Sequence, residues 1–406
     1  MSTFSTPVVK ILDVIEHPNA DRLNIVKVLG YTCISNKLED GSPRYKAGDL
    51  AVYIPSASVL PEWLLKKMDF WNSEKNIGGL AGPEGNRVKP LKLRGIFSEG
   101  ILMKISTDYP NGLPYGSGVV RNDSTNEEQF VNEGDDVSDL LDIIKYEPPI
   151  PVHMSGEVFN ASDSRPIKYD IESYEKYPTI LQEGEDVVVT EKLHGTFTGI
   201  AIIPGYHNPE AMTYGVYDTF FDDGRMAYFS NALVYSKGLG AQGLCFKDVE
   251  NNTSNIYVKA FKSLSLEQRS NFARLATKYN GLHLLGETFG KGVQDLHYGQ
   301  KSSMFRVFDA YLGAYPFGRY ATDSELDDIL EKIGVPRVPI LARMKYNYDS
   351  VVILRDGKDT ISNSNVREGI VIRPVIERND DMIGRVQLKM VSPDYHLRKG
   401  ITTENQ

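Results

Sequence analysis

The stretch Asp186-Val187-Val188-Val189-Thr190-Glu191-Lys192-Leu193-His194-Gly195-Thr196 sets four β-favouring residues before a Glu-Lys pair, and a glycine three positions after the lysine. It reads as a buried strand that ends on Lys192 and turns through Gly195. The Lys-x-x-Gly spacing alone carries little information, because it occurs six times, at Lys27, Lys75, Lys92, Lys192, Lys237 and Lys278. What distinguishes Lys192 is the order of residues behind it. Gly286-Glu287-Thr288 puts a carboxylate at a strand end, and Val307-Phe308-Asp309-Ala310 sets an aromatic beside an acid. Arg367-Glu368-Gly369 through Arg373-Pro374 flanks an apolar strand with an acid and a base, and Val386-Gln387-Leu388-Lys389 ends a strand in a second lysine. A nucleophilic amine, two carboxylates, an aromatic face and further cations are the parts that nucleotidyl transfer through a lysine requires.

On those motifs the second part of the chain resembles the nucleotidyltransferase superfamily of ATP-dependent ligases and mRNA capping enzymes, across roughly residues 163–396. Within it, Glu191-Lys192-Leu193-His194-Gly195-Thr196 is most similar to the nick-sealing RNA ligases, whereas DNA ligases and capping enzymes usually carry Asp where His194 stands. Ser236-Lys237-Gly238, Lys291-Gly292-Val293-Gln294 and Tyr298-Gly299 resemble the same branch. The resemblance implies an ATP-dependent RNA ligase that joins 3′-hydroxyl and 5′-phosphate ends through a lysyl-AMP, in RNA repair, with RNA as partner and ATP and Mg²⁺ or Mn²⁺ as cofactors. It implies Lys192, Glu287, Glu368 and Lys389 as catalytic residues, and Glu191, Lys237, Phe308 and Arg373 as further nucleotide contacts. Phe308 would stack on adenine, Glu287 would meet the ribose hydroxyls or the metal, and Glu368 the metal; carboxylates and water suit Mg²⁺ or Mn²⁺ better than zinc. A DNA ligase, a capping guanylyltransferase and a non-catalytic RNA-binding protein that keeps the fold are the competing readings.

An ordinary lysine is almost wholly protonated at neutral pH. Making Lys192 nucleophilic takes about 4 kcal/mol of differential destabilisation of its ammonium, which burial plus a neighbouring cation such as Lys389 or a metal would supply. Two positions depart from the family pattern: Val391 and Gly238 stand where relatives often carry a base. Arg385, Arg398 and Lys399 are the nearby candidates for the cation missing at Val391.

Around this centre the expected fold is α+β: an N-terminal OB-like β-barrel (1–120), a linker (121–151) and a mixed α+β nucleotidyltransferase domain (152–406). Val26 to Leu29, Leu50 to Ile54, Val88 to Leu93 and Gly100 to Met103 are short β-rich runs between turn signals. His17-Pro18-Asn19-Ala20-Asp21-Arg22-Leu23, with Lys92-Leu93-Arg94-Gly95 and Ser98-Glu99-Gly100, resembles OB-fold domains that bind tRNA and other RNAs, and Lys89, Lys92 and Arg94 would track a backbone. Residues 121–151 are rich in Asn, Ser, Thr, Asp and Glu, with one amphipathic turn near Val137. Later strands at Asp186 to Thr190, Leu282 to Gly286, Phe305 to Tyr311, Gly369 to Arg373 and Arg385 to Met390 alternate with helices at Ser265 to Tyr279 and Ser324 to Ile333. Only 17 residues follow Lys389, so on this reading the OB domain precedes the catalytic one, unlike in DNA ligases and capping enzymes.

The 406 residues are 41% hydrophobic and 24% charged, with net charge −9, so a polyanion would need a local basic groove rather than a basic coat. Cys33 and Cys245 alone exclude a disulfide framework and an all-cysteine zinc site. No apolar run of membrane length and no signal-peptide pattern is present, which predicts a soluble intracellular protein. No heptad seam is visible, and a monomer is expected.

Overall fold

A computed structural model describes residues 4–106, 116–147, 150–161, 166–213, 219–220, 226–227 and 231–398. Lys399 lies outside them. The chain divides into two compact units: residues 2–147 with 173–179, and residues 148–172 with 180–406.

The first unit is built on a five-stranded antiparallel sheet of Val8–Glu16, Leu23–Val28, Tyr31–Asn36, Leu50–Ile54 and Ile101–Lys104. Its edges are drawn together by Glu99 N–H donating to Thr32 O (2.9 Å) and Ile34 N–H to Ser98 Oγ (3.0 Å), which curls the sheet into a barrel. Alternation sends Val9, Ile11, Val26, Val28 and Ala51 to one face, while Val8, Val52 and Ile54 point to the other. The two halves of the OB-like motif meet in space. His17 Nε2 lies 3.2 Å from Leu93 O, and Asn19 Nδ2 donates to Arg94 O at 3.0 Å, pinning the first loop to the hairpin Leu91–Leu93/Ile96–Ser98. Because Asn19 N–H donates to His17 Nδ1, the imidazole hydrogen sits on Nε2 and donates to Leu93 O. Lys89, Lys92 and Arg94 are exposed.

Residues 118–143 are not an extended connection. Gly118–Arg121 pairs with Glu128–Val131, and Val120, Val131, Val137, Leu141 and Ile143 are buried against Val8, Val52 and Ile54. The polar composition that suggested a linker belongs to the hairpin turn, where Asn122 Oδ1 accepts from Ser124 and Thr125 N–H groups.

The second unit is built on two larger antiparallel sheets. One carries Leu388–Val391, Gly369–Pro374, Asp186–Lys192 and Ile340–Lys345 as adjacent strands in that order. The other has six strands, with Asn231–Ser236, Thr196–Ile202, Leu282–Gly290 and Ser303–Leu312 at its centre. Ile200, Ile202, Val234, Leu282 and Leu284 pack against the helices Ile256–Lys262, Leu266–Tyr279 and Asp323–Ile333. The last two helices each start with a capping box, Ser265/Gln268 and Thr322/Glu325. The opposite face of this sheet, carrying Phe197, Ala201, Tyr235 and Leu285, forms a second apolar layer. Among the described residues no helix is long and apolar enough to cross a membrane.

One irregularity in this sheet re-aims two side chains. The pairing of Leu282–Gly290 with Ser303–Leu312 slips between Leu285 and Gly286, whose partners are Asp309 and Val307, so Phe308 is the extra residue of a β-bulge. Phe305 and Val307 before it, and Ala310 and Leu312 after it, all face the helices. The bulge resets the alternation, and both Phe308 and Asp309 are turned to the opposite face.

Candidate active site

A cleft in the second unit is lined from both sheets. Lys192, the final residue of its strand, pairs in register with Gly369, which brings its side chain beside Glu368. The Lys192 ammonium donates to Glu368 Oε1. Lys192 is 18% exposed and Glu368 2%, so the amine sits at the cleft surface on a buried carboxylate. Glu368 Oε2, buried in its turn, has no hydrogen-bond partner.

Glu287 reaches the same place from the other sheet. Its strand pairs it with Phe197, across from the lysine turn. Gly195 permits this approach, since a Cβ there would stand 2.3 Å from Thr288 O and 3.0 Å from Glu287 Cγ. Burial pushes the Glu287 carboxyl up to about 8; Glu368 adds to the rise, and Lys192 and Lys237 oppose it. Lys389 faces the cleft from the strand opposite Val371. Lys237 opens the helix Lys237–Gln242, capped by Ser236, and its ammonium is 3.0 Å from Asp170 Oδ1. Burial raises the Asp170 carboxyl, but Lys237 and then Lys389 outweigh it, so both lysines act on one spot of the wall.

The other end of the cleft is aromatic. Phe308 lies 5.3 Å from the ring of Tyr169 and 6.0 Å from Phe197, centroid to centroid. Beneath it, Asp309 is fully buried and bound by Arg373 (3.1 Å) and Arg385, with the Tyr169 hydroxyl 2.9 Å away. Burial raises the Asp309 carboxyl, yet the two guanidiniums hold it below the usual carboxylate range.

Lys192, Glu287, Glu368, Lys389, Lys237 and Phe308 therefore converge on one cleft. Two expected nucleotide contacts differ in detail. Arg373 is on the wall, and its guanidinium is paired with Asp309, with Glu377 at 3.5 Å, while its Nη2 has no hydrogen-bond partner. Glu191 is 2% exposed, and its carboxylate accepts from the Thr360 N–H at 3.0 Å and from the Thr360 hydroxyl. That side chain fixes the loop before Glu368, and burial lifts its carboxyl above the ordinary value. The candidates for the cation missing at Val391 are also committed elsewhere: Arg385 to Asp309 and Glu377, Arg398 to Asp295. Tyr169, Asp170, Phe197 and Asp295 were not anticipated. Only Phe197 carried a local signal, an aromatic five residues past the lysine on a strand facing the cleft.

Among the described residues no group of three or more metal-ligating side chains assembles. Glu287 and Glu368, two oxygen donors with one orphaned buried oxygen between them, nevertheless fit a hard divalent cation that keeps several waters and shares substrate phosphates.

Solved structures of high similarity include a Naegleria gruberi RNA ligase with PPi, at 22% identity, TM-score 0.66, covering 96% of this chain and 97% of that one. A mutant of that ligase with ATP and Mn matches at 21% identity and TM-score 0.68, over 96% and 97%. A second mutant, with AMP and Mn, matches at 21% and 0.66, over 97% and 98%. At these identities the likeness establishes the shared fold. No curated protein sequence matches. A model described as an OB-fold domain covers residues 6–105, which identifies the N-terminal barrel. The RNA ligase model covers residues 185–391, spanning Lys192, Glu287, Glu368 and Lys389, and on that match the chain belongs to the RNA ligase family.

Proposed function

We propose that this RNA ligase is ATP-dependent, seals 3′-hydroxyl to 5′-phosphate ends in RNA repair, and works as a monomer on RNA, at nicks in a duplex or at broken ends. The observation that carries the reading is the Lys192 amine, at the surface of a cleft whose one end is aromatic and whose other end is charged. A nucleotide laid along it has its base against Phe308 and its phosphates toward Lys237 and Lys389. The ATP, AMP and manganese of the Naegleria gruberi structures support the same ligands here.

In the first step the neutral Lys192 amine attacks the α-phosphorus of ATP. The Nζ–P bond forms, the bond from the α-phosphorus to the bridging oxygen breaks, and pyrophosphate leaves with its electron pair. The proton must first leave Lys192, which here is paired to Glu368. A divalent cation held by Glu287 and Glu368 would supply positive charge beside the amine and so favour its neutral form, the proton passing to solvent at the cleft surface. Lys237 and Lys389 meet charge on the phosphate oxygens. In the second step an RNA 5′-phosphate oxygen attacks the adenylate, regenerating the lysine; in the third a 3′-hydroxyl oxygen attacks the activated phosphorus and AMP departs.

The test is a panel of nicked duplexes identical except for RNA or DNA in the strand bearing the 3′-hydroxyl. Sealing that requires an RNA 3′ end is the expected result. Equal sealing of both overturns the RNA-end requirement, and no sealing without lysine adenylation supports a binding protein instead.

A further inference from the structure

Asp170 puts a negative charge in the cleft wall at the place where negative ligands are to bind. Tyr169, Asp170 and Ile171 all line the cleft, and the Tyr169 hydroxyl, 2.9 Å from both Asp309 Oδ2 and Gln387 Oε1, anchors this segment. Asp170 Oδ1 accepts from the Ile171 N–H at 2.9 Å and from the Lys237 ammonium at 3.0 Å. The Asp170 side chain is 14% exposed and that of Lys237 31%, so the pair sits at the cleft surface, within reach of a ligand. Lys389 acts on the same carboxylate. The two cations assigned to phosphate therefore already share an anion that belongs to the chain.

To an ammonium, a carboxylate oxygen and a phosphate oxygen are equivalent acceptors of a charge-assisted hydrogen bond. Lysine has three hydrogens to donate, but two anions gathered on it repel each other, so phosphate binds at Lys237 against the charge of Asp170. That opposition falls unequally on the ligands of the first step. ATP is also held by its base against Phe308, and after transfer the AMP is held by the Nζ–P bond. Pyrophosphate has neither hold and depends on charge alone, so a fixed anion beside its cations weakens the leaving group most.

We propose that Asp170 is a built-in competitor for phosphate: it holds Lys237 before ATP binds, yields it to the triphosphate, and reclaims it as pyrophosphate leaves, which drives adenylation forward. Asp170 acts through Lys237 and is a positioning residue. The inference rests on the ligase reading, in which Lys237 and Lys389 meet the phosphates. A carboxylate that merely aimed Lys237 at the phosphates has the opposite signature, since its removal loosens ATP and pyrophosphate where removal of a competitor tightens them.

The test reads that sign in two variants whose melting curves show them folded. Asp170→Asn removes the charge and keeps an acceptor for Lys237 and the Ile171 N–H; Asp170→Ser also shortens the side chain. Calorimetric titration of magnesium pyrophosphate into protein not yet adenylated should give a Kd lower by about 5-fold or more in both variants, the size of one charged hydrogen-bond competitor removed. The KM for ATP should fall by less, and protein carrying lysyl-AMP should return ATP at lower pyrophosphate concentration than the wild type. A Kd for pyrophosphate that is unchanged or raised in both variants, or pyrophosphate bound by neither wild type nor variants, overturns the proposal. Wild-type protein that binds pyrophosphate, more tightly once Asp170 is replaced, yet takes up no AMP, overturns the ligase reading and leaves the competition between Asp170 and phosphate standing.

Discussion

Two charged clusters lie within the second unit, and they are built to opposite ends. In one, Asp309 has a guanidinium, a backbone N–H or a phenol facing each carboxylate oxygen, and its pKa is driven down despite complete burial. In the other, Glu287 is driven up to about 8 and Glu368 keeps one buried oxygen with no hydrogen-bond partner. In the first, both oxygens of Asp309 have donors, and the Arg373–Asp309 pair joins one sheet to the other. The second holds one carboxyl pushed up and one buried carboxylate oxygen without a donor, which is the condition of a site that a ligand completes.

If that contrast is right, substitutions should divide cleanly. The largest effect on stability belongs to Asp309→Asn, which removes the buried charge facing both Arg373 and Arg385; about 3–5 kcal/mol is expected, read as a lower denaturant midpoint. Glu368→Gln should instead slow lysine adenylation by about 10²–10³-fold in single-turnover mixing while leaving the denaturant midpoint level or higher. Similar stability losses for the two would erase the distinction. Glu287 sharpens it through pH. Its folded pKa of about 8 exceeds its ordinary 4.5, so the folded chain keeps a proton that the unfolded chain releases, and stability falls as pH rises through that window. Glu287→Gln removes that slope, and its melting temperature should gain on the wild type steadily from pH 5 to pH 8; a constant gap would show that Glu287 is solvated. The smallest change is expected from Phe308→Leu. Losing an aromatic face worth about 0.5–1.5 kcal/mol should raise the KM for ATP roughly 2- to 13-fold with little change in kcat.

The reacting groups were legible from the local pattern around each: Lys192 ends a β-branched strand and Glu368 precedes one, while Glu287 and Lys389, expected at strand ends, lie inside Leu282–Gly290 and Leu388–Val391. The barrel was legible from its β-rich runs. What escaped was pairing across long separations. Nothing near Arg373 in sequence announces Asp309, 64 residues away, as its partner. Asp295 and Tyr395 converge on His194 from 101 and 201 residues away, and neither lies in a motif. The stretch 121–151, expected as a linker, differs for another reason: its few apolar residues are spaced by polar turn residues, so composition hid a hairpin arm and the buried Val131, Val137, Leu141 and Ile143. The bulge at Phe308 could not be seen either, since alternation alone would have put Phe308 and Asp309 on opposite faces.

Catalysis by this cleft requires that Lys192, and no other lysine, carries the nucleotide. Peptide mapping by mass spectrometry after incubation with ATP and Mg²⁺ or Mn²⁺ tests it directly. The predicted result is a single AMP on the peptide containing Lys192, absent from Lys192→Ala; AMP on a different lysine, or no adduct under conditions where the protein is folded, would contradict it.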